Sequence, residues 1–193
     1  ADAALTGYQY CYFTYAMEGY DYKKLSDREC TFSFWIKSTK TGTMCVSFQN
    51  GAADRSYISD VTISSSDTWE KKTITLTMNP TGTWDFTTGI GLYINFCLAI
   101  GPDGDSGTNE TWTGDGITCT DNQDNFLDNA TNNILLSQVK LEIGPAATNF
   151  RGENPTKELQ RCKRYFEKSY NQGTDPGSAT TVGINTVTLP TAG

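Results

Sequence analysis

The chain has 193 residues, of which 37% are hydrophobic and 19% charged, and its net charge is −7. That length carries one sandwich domain with a real core, and the low charge with abundant Thr, Ser, Asn and Gly suits strands with polar outer faces. An acidic balance argues against a nucleic-acid partner, no apolar run approaches the roughly 20 residues of a membrane helix, and the lack of histidine excludes Ser-His-Asp, Cys-His and histidine-ligated metal chemistry as usually built.

In chain order, Tyr8 to Met17 is aromatic and strand-like. Phe32, Phe34 and Ile36 alternate with Ser33, Trp35 and Lys37, and Met44, Val46 and Phe48 alternate with Thr43, Cys45 and Ser47. Asn50-Gly51 is a turn signal, after which Tyr57 to Ile63 returns. Ile74, Leu76 and Met78 alternate with threonines, and Leu92, Ile94, Phe96 and Leu98 alternate with Tyr93, Asn95 and Cys97. Residues 101–133 lose all periodicity. Ile134 to Ile143 is the last strand, with Leu135, Val139, Leu141 and Ile143 read onto one face. Gly144-Pro145 stops it, and Asn154-Pro155 opens a short helix whose Leu159, Cys162 and Phe166 recur at helical spacing.

About eight strands at this spacing predict an all-β antiparallel sandwich, followed by one short helix and an extended tail. The expected organisation is a sandwich over 1–150 and an amphipathic helix over 151–170, packed on the sandwich or on a neighbouring chain. Residues 171–193 are an extended tail or the start of a further module. The tail's Val182, Ile184, Val187 and Leu189 are too few to fold alone, so it is expected to gain order against other chains. Phe34, Ile74, Leu76, Leu92, Ile94, Phe96, Val139 and Leu141 are expected between the sheets. The opening Ala1-Asp2-Ala3 and the open-ended tail suggest a longer native polypeptide.

The segment from Leu136 to Tyr170 resembles one that recurs in bacteriophage tail-fibre and related virion appendage proteins. Their strand of the type V-Q-L-E-x-G is matched by Val139, Leu141, Glu142 and Gly144. A following a-T-x-F is matched by Ala147, Thr148 and Phe150, and E-L-x-x-C-x-R-Y-Y by Glu158, Leu159, Cys162, Arg164 and Tyr165. Lys140 stands where Gln is usual and Phe166 where the second Tyr is usual. Upstream, Ser33-Phe34-Trp35, Asn50-Gly51 to Arg55-Ser56-Tyr57, Thr68-Trp69-Glu70 and Gly89-Ile90-Gly91-Leu92-Tyr93 resemble further family strands and turns. About residues 5–170 are covered. The resemblance implies a jelly-roll sandwich similar to carbohydrate-binding modules, mounted on a virion as threefold fibres and assembled in the host bacterial cytoplasm. It implies no catalytic site.

The expected function is therefore a structural component of a phage tail fibre, a homotrimer that contacts other virion proteins and, as one option, host-surface polysaccharide. The alternative is a capsid decoration or fibre-connector protein without glycan binding. A polysaccharide depolymerase working through a carboxylate pair is the third reading. Trp84 and Trp112 lie in turn-like surroundings, whereas Trp35 and Trp69 are read onto strands. Exposed loop tryptophans are sugar platforms, and Asn109 and Glu110 lie near Trp112 to accept sugar hydroxyls; buried anchoring is the competing reading. Asp103, Asp105 and Asn109 alternate as calcium ligands do, without the closing bidentate Glu of an EF-hand loop, and a solvated acidic loop is the other reading. No other cofactor is expected. The six cysteines form no CxxC pair and are expected to be free and buried, Cys162 on the helix stripe included.

Overall fold

The computed structural model describes residues 4–152, 154–164 and 174–175. Eight strands follow in order: β1 (Tyr10–Glu18), β2 (Glu29–Ser38), β3 (Gly42–Gln49), β4 (Ser56–Ile63), β5 (Glu70–Thr77), β6 (Ile90–Ile100), β7 (Trp112–Thr113) and β8 (Ile134–Ile143). A one-turn helix α1 (Gly19–Tyr22) follows β1, and α2 (Pro155–Lys163) follows β8. The alternating stretches are the strands; α1 and the two-residue β7 carry too few residues for a period to register.

The strands form two antiparallel sheets, in the orders β1-β6-β3-β4-β7 and β5-β2-β8. The pairs β1·β6, β2·β5 and β3·β4 are the rungs of one long hairpin, and the pairing of β3 with β6 rolls it up. That is a jelly-roll sandwich, with β8 added beside β2. The expected all-β sandwich with a short C-terminal helix is present.

The core lies between the sheets. Phe32 and Phe34 of β2 meet Phe96 of β6 with ring centroids 5.8 and 5.0 Å apart, and Phe32 meets Phe48 of β3 edge-on at 5.4 Å. Ile36, Met44, Val46, Ile74, Leu76, Leu92 and Ile94 fill the rest. A second apolar cluster of Cys45, Ile58, Cys97 and Cys119 lies beneath the aperiodic 101–133 loop, with Tyr12, Ile100 and Ile117 at its margin. The loop covers the outer side of the five-stranded sheet. Gly107 permits the close approach, since a Cβ there would overlap Ile58 Cδ1.

Two expectations for β8 are corrected. Val139 is 44% exposed, and Leu135 and Ile143 are exposed as well; only Leu141 of the expected face packs on the core, joined by Ile134 and Leu136. Val139 and Ile143 are exposed because β8 is the edge of its sheet, and Leu135 because a β-bulge sets it on the outer face. Ser33 pairs with Lys140 and Trp35 with Ser137, so two steps on β2 are matched by three on β8. Gln138 takes the extra position in the left-handed region, at φ 51°. One inserted residue inverts the alternation, so even-numbered side chains face the core before the bulge and odd-numbered ones after it.

In α2, the Asn154 side chain accepts from the Thr156 amide at 2.9 Å and Pro155 follows, as expected. Leu159 and Cys162 are exposed on α2, where Cys162 was expected to be buried. Phe166 and the tail residues Val182, Ile184, Val187 and Leu189 lie outside the described residues. The chain divides into two units, Ala1–Phe150 and Arg151–Gly193, and the first holds both sheets. Of the other thiols, Cys30, Cys45, Cys97 and Cys119 are buried and free, and Cys11 is half-buried and free.

Phe96→Ala should cost about 3–5 kcal/mol in urea denaturation, because the Phe32 and Phe34 rings lose their partner. Gln138→Gly should stabilise by up to about 1 kcal/mol, since glycine occupies the left-handed region without the Cβ clash. An unchanged denaturation midpoint for Phe96→Ala, or a strongly lowered one for Gln138→Gly, would contradict these placements.

Candidate binding surface

Trp84 and Trp112 come together. Their rings meet edge-to-face at 5.9 Å, Trp84 stacks on Tyr22 of α1 at 4.3 Å, and Trp112 packs against Tyr57 at 5.5 Å. Each indole N–H donates to a backbone carbonyl, Trp84 to Thr81 at 2.7 Å and Trp112 to Thr77 at 2.8 Å. Trp84 is 8% exposed, so it is not an open sugar platform; its anchoring role follows from one face on Tyr22 and its polar handle used internally. Trp112 is half-buried on β7, against the core. Trp69 precedes β5 rather than lying on it, and its ring is exposed.

The polar candidates near Trp112 hold the loop to β4. Asn109 Oδ1 accepts from the Asp60 amide at 2.9 Å, and the Glu110 amide donates to the Ile58 carbonyl at 2.7 Å. Asp103 places its own amide against the Gly7 carbonyl at 3.3 Å. The oxygen that Asn109 was expected to offer calcium beside Asp103 and Asp105 is thus taken up by β4. Among the described residues, no three His, Cys, Asp or Glu side chains gather where they could hold a metal ion.

Other carboxylates and amides are braces of the same kind. Asp60 Oδ1 accepts from Thr120 Oγ1 at 2.8 Å and Asp60 Oδ2 from Asn122 Nδ2 at 2.8 Å. Asp124 accepts from the Thr43 amide at 2.7 Å, and Gln123 Oε1 from the Cys45 amide at 2.6 Å. Asp128 pairs with Lys40 at 2.5 Å. Asn50, fully buried, receives the Asp54 and Arg55 amides and donates to the Thr83 carbonyl and to Asp54. The Cys45 thiol is pushed up by its contact with Cys119 and by burial, which keeps it protonated and inert.

Lys140, Glu142 and Thr148 form a clasp. Glu142 accepts from the Thr148 amide at 2.8 Å and the Thr148 hydroxyl at 2.6 Å, and pairs with Lys140 at 2.9 Å. Gly144, at φ 124°, turns the chain so that this return is possible. Thr31 Oγ1 donates to the Gly144 carbonyl at 2.6 Å. The returning segment, with Gln138 and Trp35, bounds a cleft of about 150 Å³.

A larger open groove, about 500 Å³, is lined by Gly51, Ala52, Thr83, Trp84, Asp85, Gly89 and Ile90. The Asp85 carboxylate on it accepts from the Thr87 amide and hydroxyl at 2.6 and 2.8 Å, which holds it below the usual carboxylate range. Alternation alone did not single out this groove, since its lining comes from two turns and the start of β6.

What the sandwich presents outward instead is aromatic side chains. Tyr8, Tyr10, Phe13, Tyr15 and Tyr20 are all exposed along or beside β1. The sequence signal for it was the aromatic run from Tyr8, but only the sheet order makes β1 an edge strand. No helix among the described residues is long and apolar enough to cross a membrane. The fold class is that of an antiparallel jelly-roll sandwich, and no family model, curated protein or solved structure matches the chain.

The clasp holds the Glu142 carboxyl down at about 2, first through the Thr148 hydroxyl and amide and then through Lys140. A depressed carboxyl stabilises the fold above its ordinary value of 4.5, and that contribution is lost as pH falls toward 2. Melting temperatures should therefore drop more steeply through this window in the native protein than in Glu142→Gln; parallel curves would refute the clasp. Trp84→Ala should lower stability by about 3–5 kcal/mol, as for other buried aromatics, rather than remove a sugar contact from a fold of unchanged stability.

Proposed function

We propose that this protein is a non-catalytic structural component of a bacteriophage virion appendage, most simply a tail fibre, that works as a homotrimer alongside other virion proteins. The observation carrying this reading is the Glu142–Thr148 clasp with its Gly144 turn. Residues shared with the appendage-protein pattern have specific structural jobs here, and this supports the reading. Asn50 at the Asn50-Gly51 turn supports it in the same way.

The tryptophans favour a structural task over sugar binding, since Trp84 and Trp112 have their indole N–H groups and ring faces engaged within the chain. Glycan contact is the secondary reading, and the open groove beside Trp84 is what speaks for it.

Gold-labelled antibody against the purified protein should decorate the tail appendages of intact particles. Decoration of the capsid would favour the capsid-decoration alternative. Binding of defined oligosaccharides on a glycan array would move the reading toward host attachment, and turnover of a polysaccharide would overturn the non-catalytic assignment.

A further inference from the structure

The sandwich is closed on one flank and open on the other. β5 lies against β4, and β2 lies over β6 and β3 through Phe32 and Phe34, so β8 falls toward the β1 side. On that side three strands face five, and the narrower sheet leaves the end of the wider one bare.

The uncovered side chains are on the core-facing side. Phe13 pairs with Phe96 and Tyr15 with Ile94, and residues directly opposite in a ladder share a face. Phe96 and Ile94 are buried, yet Phe13 is 47% exposed and Tyr15 58%. Across the interior, Ile143 pairs with buried Cys30 and is itself 48% exposed, with Val139 two positions from half-buried Leu141. Both rows belong by their register to a core, and nothing among the described residues of the sandwich covers them.

We propose that a second copy of this chain covers this flank, so that β1 and β8 form the contact face between copies. The inference rests on the self-associating reading above and assigns it a surface. Charge permits this occupant. Copies with a net charge of −7 repel one another, and a contact between them needs a surface free of carboxylates. Tyr8 to Met17 contains no charged residue, and the charges of β8 near the bulge, Lys140 and Glu142, lie on the other face and neutralise each other in the clasp.

Area agrees. Phe13, Tyr15, Val139 and Ile143 each leave roughly 100 Å² uncovered on this face. Two copies meeting here bury about 800 Å² from these side chains alone, and pairing of the free edges adds the backbone area that brings the contact toward the standard range of about 1,200–2,000 Å². Each free edge also offers unpaired ladder groups that a neighbour's strand can take.

The test is mass photometry and sedimentation of the full chain, with Phe13→Glu/Tyr15→Glu together, Val139→Glu alone, and Thr73→Glu on the opposite edge strand as control. The substituted side chains are exposed, and near-ultraviolet circular dichroism checks that each variant folds. The native protein and the control should assemble, while charge on either strand should shift the mass at least tenfold in concentration toward the monomer. Val139→Glu decides the matter if the double variant fails to fold. Assembly undiminished in folded variants would overturn this face while leaving self-association standing. A native protein that stays monomeric at tens of micromolar would overturn both. Protection of β1 amides from exchange by an added polysaccharide, without assembly, would reassign the flank to glycan.

Discussion

Phe96 of β6 reaches from one sheet to the other and is gripped by Phe32 and Phe34 of β2. Much else in the fold follows from that contact. It makes β2 the central strand of its sheet, flanked by β5 and β8 and buried along nearly its whole length. Thr31 and Ser33, on its outer face, are then removed from water and need partners. Thr31 finds Thr75 and the Gly144 carbonyl, and the segment after β8 must fold back to supply the latter. The Glu142–Thr148 clasp holds that return in place.

A related constraint acts on the five-stranded sheet. Its outer face carries Cys45, Ile58 and Cys97, which are apolar and would otherwise face solvent. The long loop after β6 lies over them, and with only the two-residue β7 in it most of its backbone groups need other partners. The many Asp, Asn and Thr residues of the loop are explained this way. Thr118 bonds to Tyr12, Thr120 and Asn122 to Asp60, Gln123 to Cys45, and Asp124 to Thr43. A composition that suggests cation or sugar ligands is here spent largely on internal hydrogen bonds.

The unequal sheets have a cost. With three strands against five, the interior is sealed where β5 meets β4 and gapes where β8 and β1 end their sheets. The bulge at Gln138 sharpens this, because it turns Val139 and Ile143 into the core parity at the strand that has least to cover it. The same device that fits β8 to β2 therefore leaves apolar side chains at the edge.

The sequence by itself determined the strands, the antiparallel sandwich and the capped helix. The alternation of Ile74 and Leu76 with Thr73, Thr75 and Thr77 reflects a local choice between a wet and a dry face, and Asn154-Pro155 reflects backbone groups within one turn. The aromatic run from Tyr8 was legible as a strand but not as a surface. Only the tertiary structure decided that β1 is an edge, that Trp84 is an anchor, and that Asn109 serves β4. It also decided the parity of β8, since an extra residue opposite Phe34 is visible only once β2 is its partner. Exposure, register and spare hydrogen-bonding capacity belong to pairs of distant segments, and a single stretch of sequence carries no record of what lies across from it.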